Sequence, residues 1–159
     1  MARNNRLTGH ACPVFLCLAL LVSSVIPRLG NAQAAPLPVI ALTVGQHRVD
    51  AEVAATEPAM KHGLMGRTSL PPDHGMLFVF PRPAPQCFWM KDTPLPLSIA
   101  FITAGGAILS IDDMQSYSEA VHCPPGPILY ALEMPQGWFA QAGIAAGVSV
   151  GGLPRPHTP

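Results

Sequence analysis

Nineteen prolines and fourteen glycines punctuate this chain of 159 residues and leave little room for long helices. Proline inside a helix removes a hydrogen bond and clashes with the preceding turn, and interior glycine costs backbone entropy. The segments between these breakers are apolar and strand-sized, so a β-rich fold is expected. His47 to Ala54 alternates, with Val49, Ala51 and Val53 on one face and Arg48, Asp50 and Glu52 on the other, and reads as a half-buried strand. Thr56-Glu57-Pro58 begins a helix of about two turns, ending near Gly66, whose Met60 and Leu64 face the core. Met76 to Phe80 is a continuous apolar run, the pattern of a strand covered on both faces. Pro81, Pro83 and Pro85 are expected to end regular structure, and Cys87 to Met90 to form another short strand. Leu95 to Ile102, with Leu97, Ile99 and Phe101 on one face, turns at Gly105-Gly106 into a second strand from Ala107 to Ile111. Asp112 to Pro127 lacks periodicity. Ile128 to Met134 sets Tyr130 and Leu132 against Ala131 and Glu133, followed by a helical turn at Trp138 to Ala142 and a short strand from Val148 to Val150. Short strands joined by turns, with one or two short helices, predict a mostly β, compact single-domain sandwich or small barrel over residues 35–153, and residues 154–159 read as a disordered tail.

The N-terminus has a different logic. Arg3 and Arg6 precede an apolar stretch from Ala11 to Ile26, and Ala32-Gln33-Ala34 supplies small residues for cleavage, the order of a secretory signal. The stretch is shorter than the roughly twenty residues a spanning helix needs, and Pro13 and Pro27 bracket it. Residues 1–34 are therefore expected to be a signal peptide, and the mature protein to be periplasmic or extracellular, with no membrane span. Cleavage removes Arg3, Arg6 and Arg28 and no acid, leaving six basic against nine acidic residues, a net charge of −3 with histidines neutral. With its few basic residues scattered, such a chain is not expected to bind nucleic acid. Cleavage also removes Cys12 and Cys17, and Cys87 and Cys123 are expected to pair in a compartment where disulfides persist.

Several segments, in order, carry a family resemblance: Glu52 to Ala54, Gly63-Leu64-Met65-Gly66-Arg67, Gly75-Met76-Leu77-Phe78-Val79-Phe80, Phe88-Trp89-Met90-Lys91-Asp92-Thr93, and Tyr130-Ala131-Leu132-Glu133-Met134 with Gly137. Over about Leu42 to Val150 the chain resembles the domain-of-unknown-function 192 family (DUF192), small domains often found behind bacterial signal peptides. The resemblance implies a jelly-roll-like, mostly β fold and no established activity. The family commonly has an acid after the proline-leucine pair that follows the tryptophan motif. Here Pro96-Leu97 leads to Ser98, which suggests a hydrogen-bonding or packing position.

His47, His62, His74 and His122 fall in no ligand spacing such as H-x-H or H-E-x-x-H, so no metal and no cofactor is expected. No serine sits in a nucleophile elbow. Glu52 and Glu133 lie in apolar strands where a raised pKa would suit acid and base roles, against the simpler expectation that such acids are solvated or pair with Arg67 or Lys91. Trp89, Lys91 and Thr93 sit together before Pro94, where an indole face, a cation and a hydroxyl suit a sugar ring or small anion. Arg67 and Glu52 either join that patch or form an ion pair fixing helix to sheet. Three functional expectations follow. The first is a non-catalytic envelope module binding a small polar ligand, including a carbohydrate, or a partner protein through Trp89, Lys91, Thr93, Arg67 and Glu52. The second is a hydrolase or lyase using Glu52 and Glu133, and the third a purely structural accessory protein.

Overall fold

In the computed structural model, which describes residues 36–155, seven strands and two short helices follow the breakers. The expected signal peptide lies outside these residues. In chain order the elements are β1 (Val39–Val44), β2 (His47–Ala54), α1 (Glu57–His62), β3 (His74–Ala84), β4 (Leu97–Ile102), β5 (Ile108–Met114), β6 (Ile128–Pro135), α2 (Trp138–Gln141) and β7 (Val150–Gly151). The strands form one sheet in the order β5-β4-β6-β3-β2-β1-β7. Only β2 and β3 pair in parallel, and they need the crossover that α1 supplies. Beside β7, Ser149 bridges Ala107, the Val150 amide donates to the Gly106 carbonyl at 2.8 Å, and Val150 itself lies opposite Val44. One short segment thus touches both ends of the sheet and curls it into a half-barrel.

Alternation sends side chains to two cores. Leu42, Val44, Val49, Ala51, Leu77, Ala100, Leu132 and Met134 pack inside the curl with Phe139 and Ile144. Ala54, Met76, Phe78, Ile99, Phe101 and Ala131 pack on the other face, beneath Leu64 and Met90. Burying both faces of β3 explains why Met76 to Phe80 reads as an unbroken apolar run, and β4 and β6 beside it are likewise buried on both faces. Gly75 is required where β3 meets β6, because a side chain there would run into the Glu133 carbonyl and the Met134 sulfur.

Four local expectations are corrected. Strand β3 runs on through Pro81 and Pro83 to Ala84, since the ladder to β6 skips from Val79 to Ala84 and no paired amide is needed where the prolines sit. Cys87 to Met90 is not a strand but a strap across the outer core, whose one β-bridge is Phe88 to His122, and it turns at Asp92 with φ 55°. Strand β5 continues past Ile111 to Met114, where Asp112 and Asp113, half-exposed and exposed on their way along the sheet edge, interrupt the apolar pattern. Helix α1 ends at His62, where Gly63 takes φ 50°; Thr56 caps its start, accepting from the Ala59 amide. Beyond Leu153, the Pro154 carbonyl accepts a hydrogen bond from the Tyr130 hydroxyl at 2.9 Å.

Candidate functional site: a cleft over Glu133

Sheet register lines up three acids. Asp112 on β5 lies opposite Ile99 on β4, Ile99 opposite Glu133 on β6, Glu133 opposite Met76 on β3, and Met76 beside Glu52 on β2. Directly paired residues share a face, so this row crosses the sheet on its outer side. The three acids meet different surroundings. Both oxygens of Glu52 accept from the Arg67 guanidinium at 2.6 Å, and Asp112 lies 3.4 Å from His122 Nδ1. Glu133 is only 4% exposed, and among the described residues nothing donates to its carboxyl. Burial pushes its pKa up to about 8, so the group is mostly protonated at neutral pH.

Above Glu133 a cleft of about 590 Å³ opens between α1 with the loop after it and the strap at Gln86 to Trp89. Met60 and Leu64 line it on the helix side, Phe78 and Phe80 on the sheet, and Phe88, Trp89 and Thr93 on the strap side. Phe88 organises the aromatic wall, meeting Phe78, Phe101 and Phe80 edge-to-face at 5.0, 5.9 and 6.3 Å. The disulfide between Cys87 and Cys123 ties the strap to the loop that precedes β6. Trp89 stands half-exposed at the mouth with Lys91 Nζ 5.4 Å from its ring centre. Thr93 is buried, its hydroxyl donating to the Lys91 carbonyl at 3.3 Å.

Of the residues singled out from the sequence, Trp89, Thr93 and Glu133 line the cleft. Lys91 rests over the indole, outside the lining. Arg67 and Glu52 are spent on each other, two strands from Glu133, which is roughly 9 to 10 Å of sheet. The two glutamates therefore share a face but not a cleft. The expectation that strand acids are solvated or paired holds for Glu52 and fails for Glu133. The aromatic wall of Phe78, Phe80 and Phe88 went unread as a site because apolar runs signal core and lining alike. Ser98 is a hydrogen-bonding position: its hydroxyl donates to Asp113 across the β4–β5 pair and accepts from the Gly137 amide at 2.8 Å.

These features define a small β domain whose single curled sheet carries a ligand-sized, aromatic-walled hollow on its outer face. The chain belongs to the DUF192 family, whose model, described as Uncharacterized ACR, matches residues 40–152. Two solved structures are similar. One, described as a proposed transcription regulator from Sinorhizobium meliloti 1021, is 34% identical with a TM-score of 0.66 and covers 69% of this chain and 88% of its own. The other, a protein of unknown function from Novosphingobium aromaticivorans DSM 12444, is 32% identical with a TM-score of 0.69 and covers 74% of this chain and 88% of its own. No curated protein matches this chain.

Proposed function

We propose that the protein is an exported, non-catalytic module that holds a small ligand bearing a polar group in the cleft over Glu133. The observation that carries this reading is a buried carboxyl that has no partner among the described residues, at the floor of a cleft walled by Phe78, Phe80, Phe88 and Trp89. An unmet polar group beneath an apolar wall suits a ligand with an apolar body and one group that bonds to the acid. Trp89 at the mouth offers a face on which a ring or a compact apolar group can stack.

Ligand-observed NMR of the mature protein against a fragment set spanning sugars, alcohols, acids and organic ammonium ions tests this. Saturable binding that Trp89→Ala weakens at least fivefold, with the melting temperature little changed, is the expected result. A set in which nothing binds, or in which binding survives Trp89→Ala and Phe88→Leu unchanged, overturns it. Export is tested by expressing the full chain in a Gram-negative host. The expected product is periplasmic and begins near residue 35; a cytoplasmic product with its N-terminus intact refutes export.

A further inference from the structure

Among the described residues, Lys61, Arg67 and Lys91 near the cleft each have an electrostatic partner, and the floor acid does not. Lys61 Nζ lies 2.6 Å from Glu57, Arg67 holds Glu52, and Lys91 lies over Trp89. Among the acids on the outer face, Glu57, Glu52 and Asp112 have Lys61, Arg67 and His122 beside them. Glu133, beneath the aromatic wall, has no such neighbour among the described residues. We propose that the cleft takes a compact organic cation, a substituted ammonium ion whose positive charge sits against the Glu133 carboxylate between the faces and edges of Phe78, Phe80, Phe88 and Trp89. This rests on the cleft-binding reading above and names its ligand class.

The chemistry favours a cation over the alternatives. An anion would gain one hydrogen bond from the protonated carboxyl but no free cation among the described residues, since Lys61, Arg67 and Lys91 are already engaged, and a neutral alcohol gains one hydrogen bond to a group that remains otherwise unmet. A cation stabilises the ionised carboxylate, the one form of Glu133 that burial alone disfavours, and alkylated ammonium is weakly hydrated enough to leave water for aromatic surroundings. Lys91, held above the Trp89 ring, shows that this indole already has a cation on one face in the empty protein.

Binding must ionise Glu133, and so depends on pH. With the floor acid titrating at about 8 in the empty cleft, about a tenth of the molecules are ionised at pH 7 and nine-tenths at pH 9. The other titratable or charged groups facing this region are Glu57, Lys61 and His62 from α1 and its end, Arg67 from the loop after it, Glu52 from β2, Asp112 from β5, Lys91 from the strap, and His122 beside Asp112. Cys87 is in the disulfide and does not titrate.

The test uses two probes of one shape, choline and its uncharged counterpart 3,3-dimethylbutan-1-ol, titrated into the mature, oxidised protein at pH 7 and pH 9 by calorimetry. Choline is expected to bind about tenfold more tightly at pH 9 than at pH 7, and the alcohol to show no such gain. Glu133→Gln, which keeps the shape of the side chain, should abolish the choline gain while alcohol binding persists. Because the wild-type pH profile is itself a measurement, an unfolded variant does not remove the test. Equal binding of both probes at pH 9, a choline gain that survives Glu133→Gln, or no saturable choline binding overturns the cation assignment. If the alcohol or another fragment binds where choline does not, the cleft-binding reading stands without it; if nothing binds, both fall.

Discussion

Burying a carboxyl with no partner makes stability fall as pH rises, the reverse of the usual effect of a paired acid. The folded protein holds the Glu133 proton up to about pH 8, whereas an ordinary glutamate releases it near 4.5. Between those values the unfolded chain binds fewer protons, so this residue's contribution is greatest below about pH 4.5, declines through pH 8 and is flat above it. The full swing is on the order of 5 kcal/mol. Urea midpoints measured from pH 5 to 9 are expected to fall for the wild type relative to Glu133→Gln, and parallel curves would show that the carboxyl is not buried. Arg67 is half-exposed, so its bond to Glu52 is screened; Arg67→Met is expected to cost about 1 kcal/mol, read from the same midpoints, and to leave cleft binding unchanged. At this scale the sequence revealed which residues are polar within apolar strands, and not which would find partners. Glu52 and Glu133 look alike in their strands, and only the tertiary position of Arg67 separates them. Trp89 and Thr93, which line the cleft, drew notice in the sequence because they close a strap before a proline, where a rigid scaffold ends.

Ser98 shows how an element end is held. Its hydroxyl joins Asp113 on β5 to the amide of Gly137, which precedes α2 with φ 82°. Ser98→Ala leaves that amide and the Asp113 carboxylate each short of a bond and is expected to cost about 1 to 3 kcal/mol by chemical denaturation. Ser98→Asp, which restores the acid common in the family, places a second carboxylate against Asp113 and should destabilise more. Asp113→Asn in the same chain should recover most of the loss, and a double variant no more stable than Ser98→Asp would refute the charge argument. Gly75→Ala tests the β3–β6 approach and is expected to cost at least about 2 kcal/mol, because the obstacle is backbone. Elements with clean alternation, such as β2, β6 and the β4–β5 hairpin, were readable from sequence. β1 was not, because Val39, Ala41 and Thr43 are apolar or nearly so on its exposed face and blur the period. The prolines of β3 misled because a break in the ladder, invisible in sequence, makes them harmless.

At the scale of the whole molecule, the disulfide is the strongest single tie outside the sheet. Closing a loop between residues 36 positions apart is worth roughly 3 to 4 kcal/mol in the chain-entropy model, a large share of a typical domain's stability. Reduction is expected to lower the melting temperature by roughly 10 to 20 °C and to loosen the aromatic wall, since Phe88 and Trp89 follow Cys87 on the strap. A melt unchanged by reductant would place the stability elsewhere. The β class and the pairing of Cys87 with Cys123 were readable from the sequence because proline spacing and cysteine count act over the whole chain. The single curled sheet was not, because closure depends on a few backbone bonds that leave no periodic trace.

That closure also sets an order of events. Val44 and Val150 meet across 106 positions of chain, and the same short segment completes the β4–β5 hairpin. A chain made from its N-terminus cannot shut the curl until nearly all of it has emerged, and until then β1 and the hairpin each present unpaired backbone. For a protein that we propose is exported, this delay has a use. A polypeptide unable to finish folding early stays thin enough to thread through a membrane channel, and locks only on the far side.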